Sequence, residues 1–193
     1  MVKLCGSWLD VDVELRGVEK IDAASGPEQK PLVLITNHQS NVIFVNRSNK
    51  KRSHLALKEA VTTMLEKRLK IWMFPEGTRN RDEGMLPFKK GAFNIAIQAQ
   101  IDIVPIVFSS YAPFYSKSKR YFRENGKVIA QVMDPLSTKG QKKKLLLQQL
   151  TLDDVNELCE RVRNDMLRVH AEISAEAKSR FESAAAAAAK KTN

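Results

Sequence analysis

Phe74-Pro75-Glu76-Gly77-Thr78-Arg79-Asn80 places a carboxylate, a glycine, a hydroxyl and a guanidinium in immediate succession after an apolar run. This is a compact set for holding an anionic oxygen group. Arg79 offers a planar fork of donors and Thr78 a hydroxyl, while Gly77 lets backbone amides come close to a phosphate. Glu76 suits orienting Arg79 or a substrate hydroxyl better than touching phosphate itself. The plainer alternative is a Pro-Gly turn with an internal Glu-Arg ion pair. A second apolar run, Pro31–Ile35, leads through Thr36 into Asn37 and His38. Two strand ends are thus expected to deliver polar groups to one edge of a sheet, where α/β proteins build their sites.

The elements that must position these groups follow from periodicity. Val11–Leu15 alternates apolar with polar and predicts a strand, and Gly26-Pro27 marks a turn before the continuous run of Leu32–Ile35. Val42–Val45 is the next strand candidate. Leu57, Ala60, Val61, Met64 and Leu65 fall at helical spacing within Ser53–Arg68, and Leu69–Phe74 returns to strand. Gly91–Gln100 predicts a short helix, Ile103–Phe108 a strand broken by Pro105 that shapes a strand edge, and Lys127–Met133 another alternating strand. Leu152, Val155, Leu158, Cys159, Val162 and Met166 form an amphipathic stripe after a Thr151 cap, giving a C-terminal helix over 151–175. Gln141–Gln149 is an inserted surface loop or a helix extension. The alanine-rich tail over 184–193 is low-complexity and expected to be frayed.

Composition bounds the function. In 193 residues, 43% hydrophobic and 28% charged, there is material for one packed α/β domain, read as 1–183. The charge of +10, from 32 Lys and Arg against 22 Asp and Glu, suits an anionic partner such as phospholipid headgroups, coenzyme A phosphates or nucleic acid. Lys50–Arg52, Lys117–Arg120 and Lys142–Lys144 are the basic runs. They come with no zinc pattern, aromatic-basic motif or recognition helix, so nucleic acid is not the expected partner. Cys5 and Cys159 stand far apart without metal spacing, so no metal site is expected. No stretch reaches the roughly 18–20 apolar residues of a membrane span, and the start lacks a signal-peptide core.

Four ordered blocks carry a family resemblance: Asn37-His38; Val42–Val45 running into Asn46-Arg47; Phe74–Arg79; and Ile103–Val107 around Pro105. Leu86–Phe93 adds a fifth matching segment. Together, over roughly 31–135, they resemble the glycerophosphate acyltransferase superfamily, most closely its 1-acylglycerol-3-phosphate acyltransferases. The resemblance implies a central mixed β-sheet flanked by helices and transfer of a fatty acyl group from acyl-coenzyme A to lysophosphatidic acid, giving phosphatidic acid in phospholipid biosynthesis. It implies His38 as the general base, Arg47 as a substrate contact, and Glu76, Gly77, Thr78 and Arg79 as the phosphate-binding group. Acyl-coenzyme A is then a co-substrate, and no cofactor is required. It further implies an endoplasmic reticulum membrane location, here as a shortened form attached peripherally to the membrane surface.

The chain departs from the family pattern in one place. The family has an Asp five positions after the His, where this chain has Ile43, and the second block begins at Val42. A helix and strand that normally separate the two blocks are missing, with the junction near Ser40-Asn41. Part of the sheet region is therefore expected to be deleted, exposing a sheet edge unless Val42–Val45 takes the vacated strand position. The alternative to an active enzyme is a catalytically inactive lipid- or acyl-coenzyme-A-binding variant that modulates a full-length relative. His54 and His170 are assigned to structure or solvent, and Lys89 and Lys90 to support of phosphate or to an ordinary basic surface.

Overall fold

The computed structural model describes residues 11–37, 61–78, 80, 84–139 and 152–191. The strand expected at Val42–Val45 and the segment 141–149 lie outside them. Five strands form one sheet in the order β1-β7-β4-β2-β3: β1 is Val11–Arg16, β2 Leu32–Thr36, β3 Lys70–Met73, β4 Ile103–Phe108 and β7 Gly126–Val132. β2, β3 and β4 run parallel, whereas β7 is antiparallel to β4 and parallel to β1. The sheet is mixed and helices flank it, as expected. A separate two-stranded hairpin, β5 (Tyr115–Ser116) with β6 (Tyr121–Phe122), occupies the β4–β7 connection.

Alternate residues of β2 serve two cores, which explains its unbroken apolar sequence. Val33 and Ile35 pack with Phe93, Ile97, Val162 and Met166, from α2 (Gly91–Ala99) and the long helix α3 (Leu152–Lys191). Leu32 and Leu34 face the other way with Val104, Ile106 and Ile21 of α1 (Glu19–Ser25). Residues 61–66 are helical and bury Met64 in the first core. The short α1 has no counterpart among the sequence expectations, because seven residues hold too little periodicity to register.

Three expectations need correction. Pro105 does not break its strand or shape an edge, since β4 is continuous and lies between β7 and β2. The Pro105 carbonyl accepts from Met133 N–H at 2.9 Å, so the missing Pro N–H faces β7. There the ladder is irregular: Ile103 pairs with Leu136 and Ile106 with Val132, leaving two residues opposite three. A bulge of this kind removes the demand for a donor. Second, the C-terminal helix does not stop near residue 175. Ile173, Ala177 and Phe181 continue the buried stripe at four-residue spacing. Third, the tail to Lys191 is helical rather than frayed, in keeping with alanine as the best helix former.

An ionic cluster ties α3 to the outer strand β1. Arg16 bonds both carboxylate oxygens of Glu176 at 2.8 Å and Glu14 at 2.8 Å, and Arg180 reaches Glu14 and, at 2.6 Å, Glu176. The hydrogen bond from Arg16 pulls the Glu176 carboxyl from 4.5 down to about 2. A depressed acid pKa gives stability that is present above the unfolded value and lost as pH falls through the folded one. At a half-exposed site screened by solvent the effect is below about 1 kcal/mol. Glu176→Gln should therefore flatten the fall in urea midpoint between pH 4.5 and about 2, and leave the dependence at higher pH unchanged.

Candidate active site

Parallel pairing decides where the two motifs meet. Leu32 lies level with Lys70 and Ile35 with Met73, so β2 and β3 end together, and Thr36 lies level with Ile106 of β4. The residues that follow each strand emerge at one end of the sheet. That end carries Asn37 from β2 and the Phe74–Thr78 turn from β3, the convergence expected from sequence. His38, Arg47 and Arg79 lie outside the described residues.

Asn37 is a structural clamp. Its side chain, 2% exposed, accepts from Phe108 N–H at 2.8 Å and donates to Phe108 C=O at 3.0 Å. The amide thereby stands in for one more residue of backbone and carries the β2–β4 ladder one step beyond Thr36. It fixes where the chain leaves the sheet.

Phe74–Gly77 forms a tight turn, closed by Gly77 N–H donating to Phe74 C=O at 3.0 Å. Pro75 in the second position and Gly77 in the fourth are the favoured placements in such turns. Gly77 has φ +70°, and a Cβ added to it would lie 2.6 Å from Lys89 Nζ and 2.8 Å from Lys89 Cδ. The lysine side chain therefore lies directly across the glycine. Its backbone is lashed to the same turn, with Lys89 N–H donating to Pro75 C=O at 2.7 Å. Of the two readings for Lys89, the placement favours support of an anion at the turn, where its ammonium lies beside Gly77.

Glu76 is 2% exposed, and its Oε2 accepts from Leu86 N–H at 2.9 Å. Arg163 of α3 holds the same loop from the far side, donating to Leu86 C=O at 3.0 Å and Met85 C=O at 2.6 Å. The sequence suits Glu76 to orienting Arg79 or a substrate hydroxyl; in the fold one carboxylate oxygen engages the loop that leads to Lys89. Arg163 was missed, because nothing in its helical context signals a contact some 77 residues upstream. His170 is buried in the α3 stripe, in line with a structural assignment.

A cleft of about 550 Å³ lies elsewhere, lined by Arg16, Lys20, Pro105, Asp134, Arg168 and Glu176 among others. It sits toward the ends of β1 and β7, opposite the Asn37 edge, and its charges pair internally: Lys20 with Asp134 at 2.8 Å and Arg168 with Asp165 at 3.0 Å. Among the described residues no group of three or more His, Cys, Asp or Glu is placed to hold a metal ion. No described helix is long and apolar enough to cross a membrane.

Residues 40–109 match the family model described as Acyltransferase, and the chain belongs to that acyltransferase family. A Caenorhabditis elegans relative named for 1-acyl-sn-glycerol-3-phosphate acyltransferase activity is 48% identical over 141 residues, 73% of this chain and 47% of the relative. The 1-acyl-sn-glycerol-3-phosphate acyltransferase alpha of Mus musculus is 34% identical over 200 residues, 85% of this chain and 65% of that protein. The chain thus spans about half to two thirds of the length of these relatives. The crystal structure of the lysophosphatidic acid acyltransferase PlsC from Thermotoga maritima superposes with a TM-score of 0.59 at 24% identity, over 84% of this chain and 73% of that one. It shares the fold.

Two substitutions test the clamps directly. Asn37→Ala strands the part-buried N–H and C=O of Phe108, and Glu76→Ala strands the Leu86 N–H. Each should cost about 2–3 kcal/mol in denaturant unfolding. Amide hydrogen exchange should accelerate selectively at Phe108 in the first variant and at Leu86 in the second.

Proposed function

We propose that this chain carries the acyl-transfer site of a 1-acylglycerol-3-phosphate acyltransferase, taking an acyl group from acyl-coenzyme A to lysophosphatidic acid. The observation that carries the reading is the level ending of β2 and β3. It sets the chain position before His38 and the Glu76–Thr78 turn on one sheet edge, in a chain whose relatives bear that activity in their names. In this reading His38 takes the proton of the glycerol hydroxyl as its oxygen bonds to the thioester carbonyl carbon. The carbon–sulfur bond then breaks, and the coenzyme A thiolate leaves and is protonated. Base catalysis of this kind supplies about 10²–10⁴-fold.

Gly77, Thr78 and Arg79 bind the lysophosphatidate phosphate, joined by Lys89, and Arg47 contacts substrate. Glu76 acts by holding the loop that presents Lys89. The reaction calls for no resident cofactor or metal. The site works at a membrane surface, since its acceptor is a membrane lipid, and the endoplasmic reticulum is the location proposed.

The test is transfer of labelled oleoyl from coenzyme A to lysophosphatidic acid by purified, folded protein. His38→Ala should reduce turnover at least about 10²-fold, and Arg79→Ala should raise the KM for lysophosphatidate. Ile43, where the family has Asp, motivates the contrary reading of a non-catalytic binder. Absence of turnover in the unaltered chain, with lysophosphatidate binding still lost in Arg79→Ala, would establish that reading instead.

A further inference from the structure

The β5–β6 hairpin combines features that an ordinary solvated loop does not need. Tyr115 and Phe122 face each other as a cross-strand pair, and they remain 42% and 46% exposed. Lys117, Lys119, Arg120 and Arg123 stand between and beside them, with no acid from Tyr115 to Arg123. Lys117, Lys119 and Arg120 are exposed, and among the described residues none of the four cations forms an ion pair. Elsewhere on the surface Arg16, Lys20, Lys127 and Arg180 all have carboxylate partners.

A two-stranded hairpin is marginal by itself, and this one is pinned at its base. Phe114, immediately before β5, is buried against Val128 and Phe181, and its ring meets the Phe122 ring edge-on with centroids 6.5 Å apart. Arg123 N–H donates to Phe114 C=O at 2.7 Å, Tyr121 Oη donates to Ala112 C=O, and Ser110 N–H is held by Ser174 Oγ of α3 at 2.9 Å. The exposed aromatics are thus displayed on a fixed support.

Topology places the hairpin usefully. It follows the C-terminal end of β4, whose last residue, Phe108, is the one bonded by Asn37. The hairpin therefore emerges from the same end of the sheet as the β2 and β3 termini. Aromatic rings favour the headgroup level of a bilayer, where one part of the ring is apolar and another wet. Cations beside an anionic leaflet each strengthen binding about fivefold.

We infer that the β5–β6 hairpin is a docking element that seats the candidate-site end of the sheet on an anionic phospholipid surface. The choice of a lipid surface as the partner rests on the proposed lipid substrate; the charge and aromatic pattern stand independently of it. Docking in this orientation brings the edge bearing Asn37 and the Phe74–Thr78 turn toward the layer that holds a lysophospholipid acceptor.

Flotation of the full chain with phosphatidylcholine vesicles, with and without phosphatidylglycerol, tests the inference. Binding is expected only with phosphatidylglycerol, falling on the order of a hundredfold in the Lys117→Gln, Lys119→Gln, Arg120→Gln triple variant at about fivefold per cation. Phe122→Ser should weaken binding further and leave the remainder more sensitive to salt. Unaltered flotation of the triple variant, or no flotation of the unaltered chain, would overturn the inference. So would charge-dependent binding to a single-stranded oligonucleotide without binding to vesicles, since stacked bases also suit such a surface. Turnover of a short-chain, monomeric lysophosphatidate is read separately. Charge-dependent flotation without any turnover would uphold the hairpin and defeat the acyl-transfer reading, whereas turnover with unaltered flotation in the triple variant would do the reverse.

Discussion

Three parallel strands whose C-terminal ends lie at one edge of the sheet, β2 and β3 ending together and β4 running on to Phe108, are the constraint on which the site depends. Hydrogen bonds of β2 to β3 and to β4 fix Ile35 beside both Met73 and Pro105, and a slip of one residue would turn every side chain of β2 to the other face. Slippage is opposed by two buried cores, with Val33 and Ile35 committed to one and Leu32 and Leu34 to the other. The same packing that stabilises the sheet therefore sets the relative position of the two polar termini. Asn37 locks that arrangement by lending its amide to the backbone of Phe108.

Around this edge, contacts between loops do what a longer sheet would do elsewhere. The Phe74–Gly77 turn holds Lys89 through Pro75 C=O, Glu76 holds Leu86, and Arg163 reaches across from α3 to hold Met85 and Leu86. A buried carboxylate bound to a backbone N–H is a strong, directional tie, and it leaves the exposed face of the turn to Gly77, Thr78 and Lys89. Helix α3 is thus connected to the candidate site through one loop and to the outer strand through the Arg16–Glu176 pair. Its length follows from these duties and from the buried Ile173, Ala177 and Phe181 beyond them.

Much of this was legible in the order of residues. Continuous apolar runs such as Leu32–Ile35 and Ile103–Phe108 announce strands buried on both faces, and Pro75 with Gly77 announces the turn that closes β3. Contacts formed over long separations were not legible. Asn37 reads as part of a motif, and only the fold reveals Phe108 as its partner 71 positions away. Glu76 reads as a ligand-facing acid, yet one oxygen serves Leu86. Pro105 reads as a strand breaker because sequence cannot show that β7 bulges opposite it. The hairpin strands, two residues each, are too short to carry a period, so Lys117–Arg120 reads as a plain charge run.

The most direct measurement is the amide chemical-shift response of isotopically labelled protein to a short-chain, monomeric lysophosphatidate. Convergence of the two strand ends on one ligand predicts that Asn37, Gly77, Thr78 and Lys89 shift together along a single saturation curve while the amides of β1 stay still. Shifts confined to Arg16, Lys20, Asp134 and Glu172 around the opposite cleft, with the Asn37 edge unmoved, would contradict it.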